Sequence, residues 1–349
     1  MFPFTTVRSA GALVIAAALI VAPGGVASAA PPTPQPSTPA AATALVYELF
    51  DPEVGSASLM VGDSRGLRAK PLTVAPAGSF DSHPVRSPDG RRVVFMREAD
   101  DGVSIAVVAV ADPGSFSVID TGCAATPDCA ADINPAWTLD GRRIMFTRVM
   151  GPFDEFGGAA SAVLYSTRLD GRDLRRVSSP DTPAQMEDTA ARFTPDGKYI
   201  VFIRDGWVDG ALRFAIFRMR PDATAVTQLT PWDLNADRPV PSPARVGPTA
   251  GLLAFETYGG AEPGRGDIAL LPWTCSSVDD CTTKTRYVTH NDGGPKSTFA
   301  ATWSPSGLFL AYAEETGAGG VDVWTSRWDG RNRRQVTEGV VAYSPSWAT

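Results

Sequence analysis

The sequence predicts an all-β fold, a six-bladed β-propeller of four-stranded antiparallel blades, and three observations lead there. A Pro-Asp-Gly-centred segment recurs along the chain. An aromatic returns at a period near 50 residues. The final strand supplies the piece that the first unit lacks.

The recurring segment is clearest in Pro84–Phe95 (PVRSPDGRRVVF) and Pro135–Phe146 (PAWTLDGRRIMF). It returns in Ala191–Phe202 (ARFTPDGKYIVF) and Ala301–Tyr312 (ATWSPSGLFLAY), with a degenerate copy from Pro239 to Phe255. Each copy reads as an apolar strand, a turn whose Gly can take positive φ, and a β-rich returning strand. A third strand follows, such as Phe214–Met219 or Val323–Ser326. A second turn, Asp170-Gly171 or Asp329-Gly330, leads into a closing strand ending Arg-Val-Ser or Gln-Val-Thr.

The second-strand aromatics Tyr47, Phe95, Phe146, Phe202, Phe255 and Tyr312 lie 48, 51, 56, 53 and 57 residues apart, which counts six units. No helical periodicity is sustained. The unit beginning at Leu45 has no Pro-x-Trp strand before it, whereas the chain ends on Tyr343-Ser344-Pro345-Ser346-Trp347. The C-terminal strand is therefore expected to join the N-terminal blade and close the ring.

These residues resemble the TolB-like six-bladed propeller family with WD40-like PD40 repeats, whose hallmark is P-x-W-S-P-D-G-x-x-I-x-F. The resemblance spans roughly residues 44–349. It departs from true WD40 repeats, lacking their Gly-His and Trp-Asp pairs, and residues 30–43 leave no room for the N-terminal domain of the TolB protein. Similar propellers precede the hydrolase domain of prolyl-oligopeptidase-like peptidases. Gly62-Asp63-Ser64-Arg65-Gly66 does match G-x-S-x-G, but that motif needs a strand-to-helix elbow in a parallel sheet. It falls here in a turn between strands.

Residues 1–29 read as a signal peptide: Arg8, an apolar run Gly11–Ala22, and cleavage after Ala29 or Ala30. The expectation is a secreted, extracellular protein with no integral membrane segment in the mature chain. Residues 30–43 are a Pro/Ala-rich linker, and 44–349 form the propeller. Two cysteine pairs of equal spacing, Cys123/Cys129 and Cys275/Cys281, suit local disulfides in an exported chain. Metal binding would favour shorter spacing and nearby His. The net charge of −7 argues against nucleic acid as partner.

In such a meander, the loops before strand one and between strands two and three share a face, and that face varies. It carries aromatics beside carboxylates: Phe153 and Phe156, Trp207, and Tyr258. Asp81, Asp132 and Asp188 each stand five residues before the Trp-equivalent position, with Asp237 one residue off register. With His83 and His290 they could line the channel mouth and hold Ca2+; alternatively, each Asp caps a turn or the start of a strand. No cofactor is otherwise expected and no catalytic residue is assigned. The resulting expectation is a monomeric, secreted, non-catalytic binding module presenting its loop face to a protein or an envelope polysaccharide. The alternative is a carbohydrate-active lyase or hydrolase using channel-mouth carboxylates.

Overall fold

The computed structural model describes residues 44–347, except 152–160, 180–181, 184–185, 260–264, 292–295 and 317–318. Residues 1–29 and 30–43, where a signal peptide and a linker are expected, lie outside the described residues.

The chain is all-β apart from short helical turns. β1 (Ala44–Asp51), β2 (Ser56–Asp63) and β3 (Lys70–Pro71) pair in order. Next comes the meander β4 (Phe80–Arg86), β5 (Arg92–Ala99), β6 (Gly102–Ala109), β7 (Phe116–Val118). Three separate four-stranded sheets follow. The first is β8 (Cys129–Trp137), β9 (Arg143–Met150), β10 (Ser161–Arg168), β11 (Arg175–Arg176). The second is β12 (Met186–Phe193), β13 (Ile200–Val208), β14 (Ala211–Met219), β15 (Thr227–Gln228). The third is β16 (Ala236–Pro241), β17 (Leu252–Thr257), β18 (Asp267–Pro272), β19 (Arg286–Tyr287). The last meander is β20 (Thr298–Trp303), β21 (Phe309–Glu315), β22 (Val321–Arg327), β23 (Arg334–Gln335), and after it β24 (Val341–Trp347) pairs antiparallel with β1.

Hydrogen bonding does not run continuously around these units. Single parallel bridges, Ala57↔Phe80 and Val321↔Val341, are what link the first, second and last meanders into one sheet. Neighbours meet instead through apolar side chains. Val46 and Leu59 pack with Phe95; Val94 with Trp137 and Phe146; Leu164 with Phe202. The series continues with Val201 and Ile216 against Phe255, Leu270 against Tyr312, and Ala311 and Val323 against Leu45 and Trp347. Each regularly spaced aromatic is thus buried between its own unit and a neighbour.

Local chemistry explains the repeat. In the Pro-Asp-Gly turns the Asp is structural: Ser87, Thr138 and Thr194 donate to Asp89, Asp140 and Asp196 at 2.6 Å. The closing Ser or Thr is structural too. Thr73, Ser178, Thr230, Thr289 and Thr337 each accept a third-strand N–H at 2.8–3.0 Å (second-strand for Thr73), so the ladder continues through a side chain. Gly66, at φ 75°, lies so close to Val336 of the last meander that a Cβ would overlap its carbonyl oxygen. Gly171 stands in the same relation to Asp120.

Both disulfides form, Cys123–Cys129 and Cys275–Cys281. The second is carried by a helix absent from the sequence reading, α1 (Val278–Lys284), whose first turn is capped by Ser277 accepting from the Asp280 N–H.

Candidate functional site: a charged cluster at the centre of the strand-one edges

Each first strand contains one non-glycine residue in the left-handed region: His83, Asn134, Ala190, Arg238, Ala300 and Ser344, with φ between 44° and 55°. These residues sit where the pairing register slips by a residue, as at Ser82/Val85 and Asp237/Val240, so each is a β-bulge. The bulge turns its N–H toward the preceding unit. There the residue after the conserved-spacing aromatic accepts: Glu48 from His83, Met96 from Asn134, Thr147 from Ala190 and Glu256 from Ala300. In the fourth unit that position is Ile203, which has no acceptor. Asp237 takes over, accepting the Arg238 N–H at 2.6 Å.

These bulges gather titratable groups from distant units. Arg238 Nε lies 3.0 Å from Glu256 Oε1, and Arg238 Nη2 lies 3.0 Å from His83 Nε2. A guanidinium only donates, so His83 Nε2 must be the acceptor and its proton sits on Nδ1, which faces Ser82 Oγ at 3.1 Å. Burial, then Arg238 and Arg192, hold the imidazole well below its ordinary range, so it is neutral at pH 7. Burial and the Arg238 charge bring Arg192 down to about 10. Arg238 is held above the ordinary guanidinium range by Glu256 and Asp237, against the effect of burial.

On the loop side of this cluster stand further carboxyls, of which Asp205 and Asp237 are buried. Asp205 on β13 lies directly across from Glu187 on β12. Burial, then Glu187, Asp237 and Asp188, push the Asp205 carboxyl well above the usual carboxylate range. Asp237 is pushed up to about 7 by burial and by Glu256. Tyr258 donates to Glu256 at 3.1 Å.

Asp237 therefore holds a proton in the folded state over a range where the unfolded chain has lost it, between about pH 4 and 7. Its contribution is present at low pH and disappears as pH rises through about 7. Asp237→Asn keeps an acceptor for the Arg238 N–H and cannot ionise. It should be more stable than the parent at pH 8, by up to about 4 kcal/mol, with little difference at pH 4; urea midpoints at the two pH values measure this.

The residues singled out from sequence divide. Asp81, Asp132 and Asp188 are not open carboxylates. They are buried, and each forms a two-pronged ion pair with the arginine sixteen residues on: Arg97, Arg148 and Arg204, at 2.6–3.1 Å. They neither cap turns nor offer open ligand sets. Each guanidinium also lies over a buried aromatic, as Arg204 lies 4.9 Å from the Phe217 ring centre. Asp237 and His83 do join the central cluster. His290 is exposed beside Tyr287. Trp207 is 58% exposed. Phe153 and Phe156 lie outside the described residues.

The missed members are Glu48, Arg192, Asp205, Arg238 and Glu256. A signal existed for two of them: Glu48 and Glu256 directly follow Tyr47 and Phe255 in the repeat. Among the described residues, one trio of possible metal ligands falls within 4.8 Å: Cys123, Cys129 and Asp132. The two cysteines are bonded to each other and Asp132 is clamped by Arg148, so the trio has no ligand to give. Gly62–Gly66 runs from the end of β2 into a turn knit by Asp63 Oδ1, which accepts from Arg65 and Leu67 N–H; no elbow forms.

In class, this arrangement is an all-β fold of the TolB-like propeller type. Among solved structures, TolB from Acinetobacter baumannii is similar, with TM-score 0.64, 20% identity, and 88% of this chain covered; the chain spans 66% of that protein's length. A TolB-type protein of Agrobacterium tumefaciens gives TM-score 0.59 at 18% identity, covering 86% of this chain and 91% of its own. A chain of a nidogen/laminin complex gives 0.58 at 12% identity, covering 88% and 98%. No family model and no curated protein matches the sequence. Among the described residues, no helix is long and apolar enough to cross a membrane.

Proposed function

We propose that this chain is a secreted, non-catalytic binding module. It is a six-bladed propeller closed by β24 on β1, and it presents the loop face of its fourth and fifth units to a protein or a cell-envelope glycan. Two disulfides suit an oxidising compartment outside the cytosol, and residues 1–29 read as the export signal.

Trp207 carries the reading. It sits at the end of β13, opposite Leu212 on β14, and both are exposed near the tip of the β13–β14 hairpin. A two-residue turn, Asp209 and Gly210 with φ 51° and 77°, holds this tip rigidly. An exposed Trp on a rigid support beside buried carboxyls is the composition of a binding hot spot. A surface displayed this way costs little ordering entropy on association.

A second reading, a carbohydrate-active lyase or hydrolase, is favoured by one observation. Asp237, at about 7, has the pKa that acid–base catalysis at neutral pH requires, and burial holds Asp205 above the usual carboxylate range as well.

The mature protein, beside Trp207→Ala and a Leu212→Ser variant, should be incubated with purified envelope glycans and with proteins of the culture supernatant. Saturable retention that both variants lose supports the module. Release of glycan fragments that Asp205→Asn abolishes would establish the enzyme instead.

A further inference from the structure

The turns that join first to second strands stand side by side. Arg92 donates to the Gly141 carbonyl at 3.1 Å, and Arg245 to that of Pro195 at 3.2 Å. Gly197 lies against the Leu139 side chain, and Gly307 against that of Ala244. The turns that join third to fourth strands run beside them. Val110 N–H donates to the Arg91 carbonyl, Trp273 N–H to that of Gly251 and Trp328 N–H to that of Leu308. Together these turns make one continuous surface from the second unit to the last. β13 begins just after the turn at Thr194–Tyr199 and reaches Trp207 at its other end, roughly 25 Å away. The turn surface therefore lies on the side opposite the Trp207 hairpin.

Its apices are apolar. Val246 is 84% exposed, and Leu139, Leu174 and Leu308 are exposed too. Leu67, in the corresponding turn of the first unit, is 56% exposed. Single exposed apolar residues are ordinary on a protein surface. Here they recur in turn after turn, and most have arginine beside them: Arg65 and Arg68 about Leu67, Arg142 after Leu139, Arg175 after Leu174, Arg245 before Val246. Each of these arginines is exposed.

Charge in the third unit is lopsided. Arg143 and Arg168 are cross-strand partners, a placement in which like charges repel. Asp173 serves Arg143, Arg168 and Arg175 together, at 2.7, 3.7 and 2.8 Å, so one carboxylate faces three guanidinium groups. On the opposite side, the hairpin ends at Asp51–Gly55, Asp100–Gly102 and Asp209-Gly210 carry carboxylates and no basic residue. The net charge of −7 is thus a sum over unlike faces.

Arginine beside projecting leucine and valine selects the partner. A soluble polyanion would satisfy the arginines and leave Val246 and its neighbours in water. A protein would have to offer a separate hollow to each apex. A bilayer closes around any apex, since its acyl chains are fluid, and anionic headgroups lie level with the flanking arginines. Arginine stems can lie along apolar surface while their charged ends reach those headgroups. We propose that the turn face docks this protein on an anionic lipid surface. Leu139, Leu174, Val246 and Leu308 enter the headgroup boundary, and Arg142, Arg175 and Arg245 hold lipid phosphates. The Trp207 hairpin then points away from the membrane. This docking goes beyond the loop-face reading and does not depend on what that face binds.

The test is flotation of the mature protein with vesicles of phosphatidylcholine, alone or mixed with phosphatidylglycerol. The protein should float with the mixed vesicles only, and rising salt should release it by screening the arginines. Arg142→Gln/Arg175→Gln should weaken binding about fivefold for each arginine lost. Leu139→Ser/Val246→Ser should weaken it about tenfold. Val246→Leu, which adds apolar surface at the same apex, should tighten it. Val54→Ser, on the hairpin side and 47% exposed, should bind as the parent does. Every altered side chain is exposed, so unchanged melting temperatures confirm that the variants fold. Equal flotation with neutral vesicles, no flotation with either kind, or parental binding by the Ser pair would each overturn the proposal. So would loss by the Gln pair alone together with full displacement by a DNA duplex, the mark of an unspecific polyanion site.

Discussion

Arg148→Met is expected to lower stability by about 3–5 kcal/mol, among the largest single-site effects in the molecule. Arg148 Nε and Nη2 grip Asp132 at 2.9 and 2.8 Å, and Nη2 also donates to the Thr121 carbonyl at 2.9 Å. Both side chains are almost wholly buried. Methionine fills much of the same volume, so the loss comes chiefly from a buried carboxylate left without its counter-charge. Asp132→Leu combined with Arg148→Met removes both charges and should recover most of that loss, since a buried pair gains little over an apolar replacement. A double variant as unstable as the single would show that Arg148 acts through packing over Phe146 and Tyr165 instead. Denaturant midpoints of the parent, the single variant and the double variant decide it.

Trp347→Ala is expected to cost a similar amount, about 3–5 kcal/mol. Trp347 is 3% exposed and packs with Leu45, Tyr47, Ala311, Val323 and Val336, joining the first meander to the last. Its backbone is paired with Leu45. Truncation therefore leaves a cavity at a seam and weakens the strand that covers the edge of β1. Trp207→Ala, which removes an equally large ring from the surface, should change stability by no more than about 0.5 kcal/mol. Thermal melts of the two variants side by side measure the contrast. Equal, small shifts would mean that β24 is not what holds the first unit.

Much of the fold is legible in the chain because its repeat is local. A Ser or Thr followed two residues on by Asp and three by Gly forms its own turn, whatever surrounds it. The aromatic spacing reports the length of one meander. The cysteine pairs close loops within themselves. The site is less legible for two physical reasons. The ion pairs of Asp81, Asp132 and Asp188 depend on hairpin register, although Phe95-Met96-Arg97, Phe146-Thr147-Arg148 and Phe202-Ile203-Arg204 announce the partner in each unit. The central cluster depends on bulges at residues such as His83 and Arg238, whose displaced N–H groups find acceptors in Glu48 of the preceding unit and in Asp237 of the same strand, respectively. His83 and Arg238 are 155 positions apart, and no local pattern joins them. Asp205 carries no mark in the repeat, and it joins the cluster because β13 continues through Val208 and sets it on a strand face.

The pairing of Leu45 with Trp347 joins positions 302 residues apart. Entropy charges little for so distant a meeting, because the cost of closing a loop grows only logarithmically with its length. Time is another matter: contacts so far apart in the chain are the ones that form late. The first meander must wait with β1 uncovered while the intervening units acquire their structure. During that interval Leu45, Val46 and Tyr47 form a sticky ribbon available to any other strand, including the β24 of a second molecule. Refolding at high protein concentration should therefore produce exchanged dimers in which each chain lends its last strand to the other, whereas dilute refolding should return monomers.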